Sequence, residues 1–169
     1  MQGKEMMDLN VWGVIHGTKI GSKIMKQQGF GHIINTASAA GLGPAPIATA
    51  YSSTKYAVVG LTTSLHYEAE KFGIKVSCHC PAFTDTPIFD KAKGINIERS
   101  VLTRQLKKQK LMKPQQLAKM TFDAAHKNKL LIAPLPMCRT TDVIFTVFPS
   151  LHKGLMRLVC KASREARLT

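Results

Sequence analysis

Between about Asp8 and Gln27 the apolar residues Leu9, Trp12, Ile15, Ile20 and Ile24 recur at roughly helical spacing, and the stretch closes in Gln28-Gly29-Phe30-Gly31. That pattern predicts an amphipathic helix with a glycine-rich stop. His32 to Ser38 (HIINTAS) is short, apolar and glycine-bounded, as a strand buried in a parallel sheet is. A loop of Gly, Ala and Pro from Ala39 to Ala48 follows. Tyr51 to Phe72 then has the length of a long helix, with Ala57, Leu61, Leu65 and Ala69 as its apolar spacing and Gly73 as its C-cap. Ile74 to Cys80 predicts a second strand that Pro81 ends. Pro114 to Lys127 predicts a helix opened by its proline, and Leu130 to Pro134 a third strand.

Helix, strand, helix, strand with short connections is the rhythm of an α/β doubly wound parallel sheet. The 169 residues, 44% apolar, suit a single domain spanning 1–169. Two stretches depart from the rhythm. Residues 86–113 turn polar and basic, a surface excursion with one helix. Residues 141–169 mix Val143, Ile144, Phe145, Phe148, Leu151, Leu155 and Leu158 with Lys153, Arg157, Lys161, Arg164 and Arg167, and Pro149 interrupts them. No apolar run reaches the roughly 20 residues a membrane-spanning helix needs.

Charge adds a partner class. A net charge of +14 favours anions through long-range attraction: a phosphorylated cofactor, an acidic membrane surface or nucleic acid. The run Lys107 to Lys113 (KKQKLMK) reads as a solvated helix face. It lacks the interleaved aromatics of a single-strand binder, which argues against nucleic acid. Four cysteines without disulfide spacing, Cys78, Cys80, Cys138 and Cys160, and a start unlike a signal peptide point to a reducing, cytoplasmic setting. Cys78-His79-Cys80 lacks the second ligand pair that zinc requires, so these cysteines read as core and no metal is expected.

Candidate chemistry gathers around the long helix. Tyr51 and Lys55 stand i, i+4 at its start, so they share a face. Ser38 ends the preceding strand, and α/β sheets bind ligands beyond the carboxyl ends of their strands. A lysine ammonium stabilises a phenolate and draws the tyrosine toward proton transfer, while a serine hydroxyl can hydrogen-bond the substrate oxygen. YxxxK by itself equally describes a surface tyrosine beside a solvated lysine.

Four motifs in order make the pairing specific: Asn10-Val11-Trp12-Gly13, GHIINTAS with Ser38, AYSSTKYAV with Tyr51 and Lys55, and Pro81-Ala82-Phe83-Thr84-Asp85-Thr86. In these the chain resembles the short-chain dehydrogenase/reductase family, with Ser38 thirteen residues before Tyr51. The resemblance implies an NAD(P)-dependent oxidoreductase acting on a secondary alcohol or ketone. It implies Ser38, Tyr51 and Lys55 as the catalytic triad and Asn10 as holder of a relay water. Tyr51, Lys55, Pro81, Ala82, Thr84 and Thr86 would line the nicotinamide end of the cofactor. Asn10 also reads as a plain helix N-terminal residue, and Thr-Asp-Thr-Pro as a turn and helix start. Ala82 stands where the family has glycine, and alanine is strained there if φ is positive.

The family's opening strand and TGxxxGxG turn, whose helix holds the pyrophosphate, have no counterpart in these residues. The expectation is thus a partial sheet with an unpaired strand edge: a fragment, a misassigned start, or a short form that needs a partner. NADP is favoured slightly over NAD by the basic balance. In the family, 86–113 is the substrate lid, and Ile88, Phe89, Ile95 and Ile97 imply an apolar substrate. Homo-oligomerisation is expected. The tail reads as packing on the domain or across a dimer, with peripheral contact to an anionic membrane as the other reading. The alternative function is a catalytically silent interaction partner of a complete homologue.

Overall fold

The computed structural model describes residues 2–46, 48–87, 111–134 and 147–168. Most of the expected lid, with Ile88, Phe89, Ile95, Ile97 and Lys107, lies outside the described residues, as do Val143, Ile144 and Phe145 of the tail and the side chains of Arg164 and Arg167. The chain opens with α1 (Gln2–Met7), a π-helical turn (Asp8–Trp12) and α2 (Gly13–Gln28) in one helical run. Then come β1 (Gly31–Thr36), a 3₁₀ turn (Ala39–Gly41), α3 (Thr49–Ala69) with a 3₁₀ extension (Glu70–Phe72), and β2 (Ile74–His79). The remaining elements are α4 (Pro114–His126), β3 (Leu131–Ile132) and α5 (Pro149–Leu168).

The three strands form one parallel sheet in the order β1-β2-β3, with Gly31 opposite Ile74 and Thr36 opposite His79. Helix-linked parallel strands with helices on both faces make the expected partial doubly wound α/β sheet. Two glycines set the entry to β1 and β2. Gly29 (φ 77°) caps α2 and Gly73 (φ 69°) caps the extension of α3, both left-handed. A Cβ on Gly73 would also run into the Gly29 carbonyl, so the two turns pack through glycine alone.

α2 and α3 share one face of the sheet. There Ile33, Ile74, Val76 and Ala69 pack with Met25, Leu65 and Phe72, and nearer the strand ends Ala37, Val58, Cys78 and Cys80 pack with Val14 and Val59. The cysteines are thus core residues, as the sequence indicates. A buried polar chain crosses this interface: Thr18 Oγ1 donates to Asn35 Oδ1 (3.1 Å), and Asn35 Nδ2 donates to Thr62 Oγ1 (3.2 Å). It ties α2, β1 and α3 together without leaving an unpaired group.

The helix faces differ from those expected. α3 buries Thr54, Lys55, Val58, Thr62, His66 and Ala69, whereas Ala57 faces solvent. Buried hydroxyls that find partners on other elements defeat a reading by hydrophobic spacing. Similarly, Leu9, Trp12, Ile20 and Ile24 are exposed, and the first helical run turns Val14, Thr18 and Met25 inward. The run also begins at Gln2 rather than near Asp8.

α4 covers the opposite face through Ala124 and Ala125 against Ile132. Over β1 that face stays open: Ile34 and Thr36 are exposed, and among the described residues β1 pairs with β2 alone. On the same face His32 Nε2 meets Ser77 Oγ at 2.8 Å. His79 beside them has a buried Nε2 with no partner among the described residues, and burial lowers its pKa below 6.5. The unfolded chain therefore binds more protons than the folded one just below 6.5, so stability falls as pH drops through that value. His79→Leu is expected to raise stability by about 1 kcal/mol at neutral pH and to flatten the acid limb of thermal melts run from pH 7 to 5. An unchanged acid limb would refute this role for His79.

Candidate active site

β1 and β2 end side by side, and their ladder continues into the loops. Ala37 N–H donates to the His79 carbonyl (2.7 Å) and Ala39 N–H to the Pro81 carbonyl (2.9 Å). Ser38, between them, is half-buried and extended and caps the 3₁₀ turn, its Oγ accepting from Ala40 N–H (3.2 Å). The hydroxyl proton of Ser38 is not used by that bond. Ser52 Oγ donates to the Ala40 carbonyl (2.7 Å), fastening the Ser38 turn to the first turn of α3 beside Tyr51.

Lys55 is nearly buried, at 9% exposure, and its Nζ donates to the Thr36 carbonyl at the end of β1 (3.3 Å). Its ammonium lies 5.6 Å from the centre of the half-buried Tyr51 ring. Burial lowers the Lys55 pKa, opposed by the neighbouring thiols of Cys78 and Cys80, whose sulfurs are 3.6 Å apart. Such a lysine is not the solvated surface cation that YxxxK describes by default.

Asn10 occupies the π-helical turn, where Gly13 N–H reaches back five residues to the Asp8 carbonyl. It is therefore inside a helical run and not at a helix N-terminus. The wide turn is a local irregularity of the kind that often accompanies functional positions. Asn10 Nδ2 donates to Thr54 Oγ1 (3.2 Å), which in turn donates to the Tyr51 carbonyl (2.7 Å). Asn10 thus meets the Tyr51–Lys55 turn of α3 through Thr54.

Past β2, Thr84 Oγ1 donates to the Ala82 carbonyl (3.1 Å), and Thr84 forms a parallel bridge with Met112. The Thr84 hydroxyl makes the turn contact that its local sequence allows. Among the described residues Asn128 is the one non-glycine with positive φ, so Ala82 sits without the strain that a positive φ would impose. Thr86 is half-buried a few residues further on.

Ser38, Tyr51 and Lys55 therefore converge at the carboxyl ends of β1 and β2, with Asn10 one hydroxyl away and Pro81 alongside. Thr36, Ser52 and Thr54 were missed in the sequence. All three lie inside the GHIINTAS and AYSSTKYAV motifs, but their role depends on contacts between elements.

A family model described as short chain dehydrogenase matches residues 1–94, more than half of the chain. The chain belongs to the short chain dehydrogenase family. An uncharacterized oxidoreductase of Staphylococcus epidermidis is 36% identical over 87 residues, covering 52% of this chain and 38% of that protein. The borneol dehydrogenase of Lavandula x intermedia is 36% identical over 107 residues, covering 60% and 41%. A solved short chain dehydrogenase/reductase from Burkholderia phymatum, in complex with NAD, superposes with a TM-score of 0.69 at 31% identity, covering 85% of this chain and 57% of that one. The chain thus spans less than two thirds of each of these three proteins.

Proposed function

We propose that this chain supplies the catalytic half of an NAD(P)-dependent oxidoreductase that interconverts a secondary alcohol and a ketone. The observation that carries the reading is the junction of Tyr51, buried Lys55 and the Ser38 turn at the strand ends. In the reduction, the Tyr51 hydroxyl gives its proton to the substrate oxygen, and in the oxidation it takes that proton back. Ser38 donates its free hydroxyl proton to the same oxygen as charge develops. Lys55 holds positive charge behind the tyrosine. Asn10, linked through Thr54, is the fourth member, positioned to order water beside Lys55. A bound nicotinamide would supply or take up the hydride.

The residues present fit the nicotinamide end of such a cofactor: Tyr51 and Lys55 as polar partners, with Pro81, Ala82, Thr84 and Thr86 alongside. No cradle for its pyrophosphate exists among the described residues. Gly41 comes nearest in sequence, but a Cβ there would lie 2.6 Å from the Lys55 carbonyl oxygen, so its space is taken by α3. The NAD bound to the Burkholderia phymatum relative supports the cofactor class, and the basic charge tilts the choice slightly toward NADP. The borneol dehydrogenase relative supports an apolar alcohol or ketone as substrate.

Titration of the purified chain with NADPH and NADP by calorimetry should give no binding in the micromolar range. Micromolar binding would overturn the division into two halves.

The open edge of β1 favours a second reading: a silent partner that pairs with a complete homologue. The exposed stripe of Leu9, Trp12, Ile20 and Ile24 offers the surface for such pairing, or for a second copy of the chain. Turnover after the chain is joined to a glycine-rich dinucleotide half separates the two readings, since only the oxidoreductase gains activity.

A further inference from the structure

α5 divides into three strips. His152, Met156 and Cys160 are half-buried and recur every four residues, which marks the less exposed side of the helix. Phe148 (58% exposed), Leu151 (63%), Leu155 (46%) and Leu158 (66%) recur at three- and four-residue spacing on a second strip, open to solvent. Lys153, Arg157 and Lys161 lie on a third strip, also exposed. The fold therefore uses the less apolar side of the helix and leaves the leucines free. Exposed leucines in register are a binding surface when nothing in the fold covers them.

We propose that α5 lies in the plane of an anionic phospholipid membrane, with the leucine strip in the acyl boundary and the cations facing the headgroups. Charge selects this occupant. From Pro149 to Leu168 the helix sequence carries Lys153, Arg157, Lys161, Arg164 and Arg167 against the single acidic residue Glu165, within a chain of net charge +14. A second copy would cover the leucines but offer the cations no negative charge. A lipid surface offers both an apolar phase and a negative plane.

The dimensions agree. A helix about 10–12 Å across, sunk roughly 5–10 Å into the boundary, keeps the opposite cations within about one Debye length, ~8 Å, of the phosphates. No helix among the described residues is long and apolar enough to cross a membrane, so contact of this kind is in-plane. The sequence favours packing for the tail, and the exposure of Leu155 and Leu158 turns the balance toward the membrane.

Flotation of the full chain with vesicles tests this independently of the catalytic reading. Vesicles of phosphatidylcholine containing about one-third phosphatidylserine are expected to carry the chain up the gradient, and pure phosphatidylcholine vesicles are not. Leu155→Gln with Leu158→Gln should weaken partitioning at least roughly tenfold. Arg157→Gln with Lys161→Gln should weaken it about tenfold or more at low salt. Both pairs are surface substitutions, and circular dichroism checks that helix content is kept. Failure to float with anionic vesicles overturns the proposal, as does equal binding to neutral ones. Binding that ignores the leucine pair and is competed away by duplex DNA reassigns the strip to polyanions. A dimer in sedimentation that the leucine pair breaks, without flotation, assigns it to a second copy.

Discussion

Under the proposed function, Tyr51→Phe is expected to lower kcat roughly a thousandfold in the chain joined to a glycine-rich dinucleotide half, with the melting temperature unchanged. Phenylalanine keeps the ring that lies 5.6 Å from the Lys55 ammonium, so packing and the cation–π contact survive and only the proton donor is lost. Steady-state turnover together with thermal melts reads both halves of this statement. Activity retained in the variant would remove Tyr51 from the chemistry and return YxxxK to a structural motif. The cost already borne at Lys55 supports the functional reading. A buried ammonium with a lowered pKa is kept only where its partners compensate or its charge is used, and here it donates a hydrogen bond to the backbone carbonyl of Thr36.

The second large effect is expected at Gly41, which touches no substrate. A Cβ there would meet the Lys55 carbonyl oxygen at 2.6 Å, its carbon at 2.8 Å, and Val59 Cγ2 at 3.1 Å. The two nearest atoms belong to the Lys55 backbone and have little room to adjust, so Gly41→Ala forces the Ser38 turn away from α3. Overpacking of this kind costs about 1–3 kcal/mol. Because the Ser38 turn rests on α3 through this contact, a displacement near 1 Å is expected to lower turnover by about a hundredfold. Denaturant melts and kcat would check the two effects. A variant as stable and as active as the parent would show that the turn does not rely on this close approach.

Much of the site was legible because its signals are local. The i, i+4 pair of Tyr51 and Lys55 needs only a helix to share a face, and Ser38 needs only a strand to end near it. Asn10 was legible as a motif residue but not as a partner of Thr54, forty-four positions away. Nor did its motif announce the π-helical turn, which depends on a single shifted backbone bond to Asp8. Lys55 illustrates the same limit in energetic terms: a lysine in a helix reads as solvated until the strand beneath it is in place.

Element order, the parallel sheet, the glycine stops at Gly29 and Gly73 and the Tyr51–Lys55 pair were determined by the sequence alone. Each depends on spacing and backbone preference among near neighbours. Which faces are buried was decided only by tertiary structure. Thr54 and Thr62 go inside because the side-chain amides of Asn10 and Asn35 donate to their hydroxyls, which in turn donate to backbone carbonyls of α3, while Ala57 stays out. Leu9, Trp12, Ile20 and Ile24 remain at the surface although their spacing marks one face of a helix, and so do Leu155 and Leu158 of the tail. Hydrophobicity states what a side chain would gain by burial. Whether another part of the chain is there to cover it depends on contacts that no local pattern encodes.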